Sequence, residues 1–143
     1  IQQILPHEFD SMVLIPGVLN FTHIQNNGSA FSLFEGKQWF LIIFTSLLIL
    51  VGLYLFFFHK LHGFFMCFSV CMVVSGGIGN LIDRIFLGKV IDYIDLKFAP
   101  LKNFAIFNFA DCLIVVGVIC VLIAVFLDEK KQNKPRLSVE KGE

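Results

Sequence analysis

Acidic and amide side chains that could do chemistry lie beside long apolar runs in this sequence. Asp111 is inside such a run, between Ala110 and Cys112, and has no basic neighbour. An aspartate deep in a membrane span costs about 2.5–3.5 kcal/mol to insert and usually marks function. Desolvation favours a protonated carboxyl, and two carboxyls held together share a proton, so that one acts as general base and the other as general acid. The pattern predicts amide hydrolysis by paired aspartates, without a metal or a nucleophilic side chain.

Three further aspartates are candidate partners for Asp111. Asp83 follows Asn80 and precedes Arg84, and this i, i+3, i+4 spacing puts the three side chains on one helix face. For Asp83 and Arg84 taken alone, an ion pair that orients a helix end is the favoured interpretation. The other two candidate partners lie in the loop that follows: Asp92 and Asp95. Spacing alone leaves the choice among the three aspartates open.

The apolar runs predict three transmembrane helices. The 143 residues are 57% apolar and 15% charged, whereas soluble domains average roughly 45–50% apolar and about 25% charged residues. Each run has about the ~20 residues that cross a ~30 Å hydrocarbon layer, and none carries the polar stripe of a helix on a soluble core. The predicted spans are Trp39–Phe58, Gly63–Ile82 and Phe104–Leu127.

The polar clusters should meet at one membrane surface. Asn108 and Asp111 share a helix face near the start of the third span. Because the second and third spans run antiparallel, this face and the end of the second span lie on the same side. The basic residues just after the last span favour a cytoplasmic location for residues 128–143 by the positive-inside rule, so the polar clusters should face outward. The charged tail itself is predicted to be disordered.

The segments between the spans predict a small β-sheet on the outer side. Residues 1–38 form an extracytoplasmic segment in which Val18–Ile24 alternates like a strand, and Asn26-Asn27-Gly28 predicts a turn. Lys89–Leu96 is a second strand-like stretch on the same side. We therefore expect one α-helical membrane domain, residues 1–143, that carries a small extracytoplasmic sheet.

Other classes of function are less well supported. A zero net charge gives no electrostatic basis for nucleic-acid binding. The four histidines lie outside the predicted spans, and no metal-ligand spacing joins the cysteines to them, so a zinc site is not expected. An ion-coupled transporter would also place Asp and Asn at helix ends, although no interrupted span is repeated in two halves. A non-catalytic scaffold or lipid-binding subunit is the third class.

Three motifs lie next to the predicted spans: Asn26-Asn27-Gly28-Ser29-Ala30-Phe31-Ser32, the stretch from Gly76 to Arg84 that continues through Gly88 to Tyr93, and Phe107-Asn108-Phe109-Ala110-Asp111. They resemble the motifs of the bacterial lipoprotein signal peptidases, the signal peptidase II family. The motifs occur in the family's order, and the resemblance covers about residues 18–127. One motif would be weak evidence, whereas three in order are specific.

The resemblance implies an aspartic endopeptidase whose catalytic dyad is Asp92 and Asp111. Its substrate would be a prolipoprotein, cleaved just before a cysteine that already carries diacylglycerol, and no metal or cofactor is implied. We therefore expect lipid-modified prolipoproteins and membrane lipids as partners, no nucleic acid, and a monomer. The residues that would position the substrate and the dyad are Asn26, Gly28, Asn80, Asp83, Arg84 and Asn108.

The resemblance also implies the cellular location and a further span. The family has four spans with both termini in the cytoplasm, in the bacterial cytoplasmic (inner) membrane, with the active site near the outer face. The family's first span, which carries an Asp-Gln and Lys motif, has no counterpart in these 143 residues. We therefore expect these 143 residues to be a piece of a longer protein, and the first helix to lie in the part that is missing from the piece.

Overall fold

The apolar runs form long helices in the computed structural model of the chain, which describes residues 1–28, 36–58 and 63–140. Side chains are described as far as Lys130. Within these ranges, three helical stretches are long and apolar enough to cross a membrane: Gln38–Phe57, Phe64–Leu87 and Phe109–Lys130. The prediction of three membrane-spanning helices is confirmed.

Helices α1 (Gln38–Phe57) and α2 (Phe64–Leu87) correspond to the first two predicted spans. Helix α2 continues past Ile82, the predicted end of the span, and it includes Asp83 and Arg84, whose spacing from Asn80 predicted a shared helix face. Gly88 ends α2, because its φ of 71° lies in the left-handed region that favours glycine, and its N–H donates to the Arg84 carbonyl at 3.1 Å.

Helix α3 (Phe109–Glu140) begins later than the predicted span, which started at Phe104. A short 3-10 helix, Leu101–Asn103, and extended residues precede it. The start is fixed by reciprocal hydrogen bonds: the Asp111 N–H donates to Asn108 Oδ1 at 3.0 Å, and the Asn108 N–H donates to Asp111 Oδ2 at 3.1 Å. This is the arrangement of a capping box, which satisfies two N–H groups that a helix start leaves open.

Helix α3 extends past the predicted end of the span at Leu127, as far as Glu140. The disorder predicted for the charged tail stays a prediction. Residues such as Glu129 and Lys130 are strong helix formers. Because extending an existing helix adds a hydrogen bond per residue without forming a new nucleus, such residues favour continuation beyond the apolar span.

The extramembrane segments form one three-stranded antiparallel sheet. Its strands pair in the order β1-β2-β3, and their bounds are Ser11–Ile15, Leu19–Asn26 and Val90–Leu96. The strands predicted near residues 18–24 and 89–96 are β2 and β3, and they pair with each other as expected. Strand β1 was not predicted, because Met12–Ile15 is apolar without the alternation that marks a half-buried strand.

The residues before α3 hydrogen-bond to the second edge of β3. The N–H groups of Tyr93 and Ile94 donate to the Phe107 carbonyl at 3.0 and 2.7 Å, and the Phe107 N–H donates to the Ile94 carbonyl at 3.2 Å. Because Asn108 follows Phe107 directly, this pairing sets the start of α3 beside the middle of β3.

Helix α2 packs against both other helices. Its approach to α3 depends on glycines. A Cβ on Gly76 would collide with the Ala110 carbonyl oxygen, and a Cβ on Gly117 would lie 2.9 Å from the Ser69 carbonyl oxygen. Small residues let helix backbones come close in membranes. This approach brings the polar side chains of α2 and α3 within hydrogen-bonding distance.

Candidate active site

Two amide side chains connect the aspartates of β3 and α3. The Asn80 amide nitrogen donates to Asp111 Oδ1 at 2.7 Å. The Asn108 amide nitrogen donates to Asn80 Oδ1 at 3.0 Å and to Asp92 Oδ1 at 2.8 Å. A continuous chain of hydrogen bonds therefore runs from Asp92 through Asn108 and Asn80 to Asp111. The structure brings these four predicted site residues together.

Asp92 is enclosed on β3, with only 2% of the residue exposed. Besides the bond from Asn108, its Oδ2 accepts a hydrogen bond from the Asn26 amide at 2.8 Å. Burial raises the pKa of Asp92 to about 6; the hydrogen bond from Asn26 opposes the rise, and the charge of Asp111 adds to it. An aspartate with this pKa can exchange a proton near neutral pH.

The turn that follows β2 ties the first motif to this site. Asn26 Oδ1 accepts a hydrogen bond from the Gly28 N–H at 2.9 Å, which is an Asx-type turn at the predicted position. The Gly28 carbonyl in turn accepts a hydrogen bond from Arg84 Nη2 at 3.0 Å. Asn26 and Gly28 are thus joined to Asp92 and to helix α2. Residues 29–32 of the same motif lie outside the described residues.

Arg84 and Asp83 point to different partners. Arg84 is buried, and its Nη1 donates to the Asn80 carbonyl at 3.3 Å, in addition to the bond to Gly28. Asp83 Oδ2 accepts a hydrogen bond from the Ile91 N–H at 3.1 Å. In the part of the chain that the structure describes, the two side chains do not form the ion pair that their adjacency suggested. Asp83 instead fastens the start of β3 to the last turns of α2.

Asp95 lies apart from the chain of amides and carboxyls. Its Oδ2 accepts a hydrogen bond from the Thr22 hydroxyl at 2.7 Å and lies 2.7 Å from Lys97 Nζ. The Thr22 hydroxyl is also 2.9 Å from the Ser11 hydroxyl. Asp95 therefore links side chains of all three strands. The structure separates the three aspartates that spacing left equivalent: one joins the amide chain, and two hold the sheet.

Metal ligands are not clustered in the described ranges 1–28, 36–58 and 63–130. No group of three or more His, Cys, Asp or Glu side chains there could hold a metal ion. His23 is buried on β2, and its Nδ1 lies 2.9 Å from the Leu5 carbonyl oxygen. His59 and His62 lie outside the described residues.

Backbone groups that aim Asp92 were missed by sequence reasoning. The Ile91 N–H is fixed by Asp83, and the Phe107 carbonyl accepts from the two residues after Asp92. Phe107 belongs to the third motif, so the sequence does point to this part of the chain as functional. Its contribution nevertheless comes from main-chain atoms, which leave no signature in the type of residue.

The chain matches a family model described as signal peptidase (SPase) II over residues 1–127. It is 42% identical over 119 residues to a lipoprotein signal peptidase of Streptococcus pyogenes serotype M1, which is 83% of this chain and 76% of that protein. It is 36% identical over 119 residues to a lipoprotein signal peptidase of Streptococcus agalactiae serotype Ia, covering 83% of this chain and 75% of the relative.

Solved structures of bacterial membrane enzymes have a similar fold. One, determined by the in meso method at 2.3 Å resolution, superposes with a TM-score of 0.81 and 34% identity over 87% of this chain and 76% of that chain. Another, determined by the same method at 1.9 Å resolution, gives a TM-score of 0.74 and 33% identity over 87% of this chain and 81% of the other.

Proposed function

The chain belongs to the signal peptidase II family, and from that premise we propose that it cleaves diacylglyceryl-modified prolipoproteins just before the lipidated cysteine. It is a peptidase and a membrane protein. The names of the two streptococcal relatives support a lipoprotein precursor as the substrate. The motif resemblance supports the position of the cleaved bond.

The proposed catalytic groups are the carboxyls of Asp92 and Asp111, acting as an aspartic dyad that shares one proton. The ionised carboxylate takes a proton from a water molecule while the water oxygen attacks the scissile carbonyl carbon. The protonated carboxyl gives its proton to the carbonyl oxygen. When the C–N bond breaks, the carboxyl that took the water proton gives it to the leaving nitrogen. The other carboxylate takes back the hydroxyl proton of the tetrahedral intermediate as the new carboxyl group forms, so the dyad returns to its starting state with one water consumed.

The observation that carries this proposal is the chain of hydrogen bonds from Asp92 through Asn108 and Asn80 to Asp111. Amide groups neither gain nor lose a proton in the range where carboxyls titrate. They can therefore hold two carboxyls in place without competing for the proton that the dyad shares.

The remaining site residues are proposed to position the dyad and the substrate. Asn26 holds Asp92 directly, and Gly28 fixes the orientation of Asn26. Arg84 brings a buried positive charge near both carboxyls, and its Nε has no hydrogen-bond partner among the described residues. Asp83 anchors β3.

The proposed location is the bacterial cytoplasmic membrane, with the site near the outer face. Residues 128–143, which follow the last span, would then lie in the cytoplasm, in agreement with the basic side chains among them. A monomer is the proposed working unit. The proposed reaction needs no metal or cofactor.

Replacement of either dyad carboxyl tests the proposal. Asp92→Asn and Asp111→Asn should each abolish cleavage of a lipidated precursor by the full-length protein in lipid vesicles, because neither asparagine can exchange a proton. Cleavage is measured by the appearance of the processed lipoprotein, with membrane insertion and thermal stability measured alongside.

Asp95→Asn is the matched control, since Asp95 is equally a buried aspartate of β3 but lies outside the amide chain. It should retain cleavage, with a loss confined to stability. Normal cleavage by a folded Asp92→Asn or Asp111→Asn variant would contradict the dyad. An inactive Asp95→Asn beside an active Asp92→Asn would move the catalytic role within β3. Cleavage of an unmodified precursor at the same rate as the lipidated one would contradict the substrate.

A further inference from the structure

The hairpin formed by β1 and β2 exposes an apolar surface outside the spans. Residues 11–19 carry no charge. All five residues of β1 are exposed, including Val13 at 60% and Leu14 at 43%. Because neighbouring residues of a strand point to opposite faces, both faces of β1 present apolar side chains. A lone edge strand of this kind in water is an aggregation site.

The sheet lies at the depth of the last turns of α2. Asn80 is level with the start of α3, to which it is hydrogen-bonded. Leu87 ends α2 seven residues later, which corresponds to about 10 Å at 1.5 Å per residue. The first residues of β3 lie beside these turns: the Ile91 N–H is held by Asp83, and Asp92 is joined to Asn80 through Asn108.

Strand β3 also crosses from one helix to the next. Its first residues contact α2 through Asp83, and its middle is paired with Phe107 at the start of α3. Since α2 and α3 stand side by side, a strand fixed to both runs along the membrane plane. Strand β2 is antiparallel to β3, and β1 is antiparallel to β2, so the two strands of the hairpin also run along this plane.

At this depth α2 itself exposes apolar side chains, with Ile85 56% and Phe86 79% exposed. These residues belong to the lipid-facing surface of a span, and the exposed apolar side chains of the hairpin lie on the same side of the membrane. We infer that the bilayer covers the hairpin, with Met12–Val18 resting in the lipid headgroup region on the sheet side of the membrane. The absence of charge over this stretch fits a lipid surface.

The backbone sets a limit to the depth of the hairpin. β1 is an edge strand, and the hydrocarbon core offers no partner for the N–H and C=O groups on its open edge. The strand must therefore lie where water and headgroups still reach its backbone while its side chains contact the upper acyl chains. Pro16 and Gly17 form the tip of the hairpin. Because proline has no N–H group, the tip has one donor fewer that needs a partner.

Tryptophan fluorescence of the full-length protein tests the inference. Trp39 is the single tryptophan of these 143 residues, so a background in which Trp39 and any tryptophan outside them are replaced by Phe allows Val13→Trp and Leu14→Trp to report on the two faces of β1. The variants are placed in vesicles of phosphatidylethanolamine and phosphatidylglycerol, with or without phospholipids brominated high in the acyl chain. Leu122→Trp on α3 is the lipid-exposed control, and Gln3→Trp is the control at an exposed polar residue.

Brominated lipid should quench at least one of the two β1 tryptophans as strongly as Leu122→Trp, with emission at shorter wavelength than Gln3→Trp. Quenching of both only by aqueous acrylamide would overturn the inference. Protection of both β1 tryptophans from both quenchers would also overturn it. If this protection were lost when the protein is diluted in lipid, a second copy of the protein would be what covers the hairpin. If the protection persisted, another segment of the same protein would cover it. The readout does not depend on catalysis, so it is independent of the proposed dyad.

Discussion

The Asp92 carboxyl is held by two amide donors where water is largely excluded, and burial raises its pKa from an ordinary 3.8 to about 6. A raised pKa means that the folded protein binds this proton more tightly than the unfolded chain does. The resulting stabilisation is fully present below about pH 4 and is lost as the pH rises through about 6. The shift corresponds to about 3 kcal/mol. The residue proposed for proton transfer is therefore one that lowers stability at neutral pH.

This linkage predicts a pH-dependent difference between the wild type and Asp92→Asn. The wild type should lose stability relative to the variant as the pH rises from about 4 to about 7, by up to about 3 kcal/mol, and the difference should level off above that range. Thermal unfolding of both proteins in the same lipid vesicles across the pH range measures it. A difference that stays constant from acid to neutral pH would show that burial does not raise the pKa of Asp92.

Asp83 is expected to affect catalysis through the hydrogen bond that it accepts from the Ile91 N–H of β3. Asp83→Ala removes the acceptor for the Ile91 N–H and frees the residue next to Asp92, so kcat should fall by about 10–100-fold with little change in KM, since small misplacements of reacting groups are costly. Asp83→Asn keeps an acceptor oxygen and should recover most of the activity. Equal loss in both variants would instead indicate that the charge of Asp83 is required.

Spacing could predict part of this site. Asn80 and Asp111 meet because the spans that carry them run antiparallel, and Asn108 shares the face of Asp111 at i, i+3. The preference for Asp92 over Asp83 and Asp95 came only from the motif resemblance. In physical terms it depends on which way β3 is turned by pairing with β2 and with residue 107, and that pairing is not a property of any local pattern.

Among the elements, α2 and α3 make the contact that holds the site together, and glycines set their distance. A Cβ on Gly117 would lie 2.7 Å from Val73 Cγ2 and 2.9 Å from the Ser69 carbonyl oxygen. Because one of these neighbours is backbone, a side chain can be admitted only if the helices separate. The register of α3 on α2 therefore depends on this position as well as on Gly76.

Gly117→Ala should lower stability by about 1–3 kcal/mol through overpacking, seen as a lower unfolding temperature in vesicles. Val118→Leu is the matched control, because it enlarges the next residue of the same helix, which is 43% exposed on the lipid-facing surface. The control should unfold like the wild type. An unchanged unfolding temperature for Gly117→Ala would show that the two helices do not pack closely there.

The existence of the helices followed from hydropathy, but their ends did not. The last apolar run includes Phe104, yet the helix starts only after Asn108, because the capping box with Asp111 forms there and the preceding residues are drawn into pairing with β3. Apolar composition says which residues prefer lipid, not where the backbone turns. β1 escaped prediction for a related reason: an apolar run on both faces has no period to detect.

For the whole molecule, antiparallel spans and a sheet fastened to two helix ends explain why distant motifs meet. The first motif reaches the site through Asn26 and Gly28, the second through Asn80 and Arg84, and the third through the start of α3. The predicted placement of the motifs on one side of the membrane required only the order of spans and loops. The direction in which the strands run along that surface is set by the contacts of β3 with Asp83 and Phe107. The tryptophan experiment depends on this direction, which was not foreseeable from the sequence.

The double pairing of β3 has a consequence for how a peptide can approach the carboxyls. Many peptide-binding proteins capture an extended ligand by adding it as a new strand to an open sheet edge. Beside Asp92, in the described part of the chain, one edge of β3 is taken by β2 and the other by Phe107. Among the described residues, the open edge of the sheet is that of β1, about 10 Å away across two strand spacings. The substrate's register in the proposed reaction is then set by contacts to side chains and by its lipid, and not by a ladder of main-chain hydrogen bonds to β3.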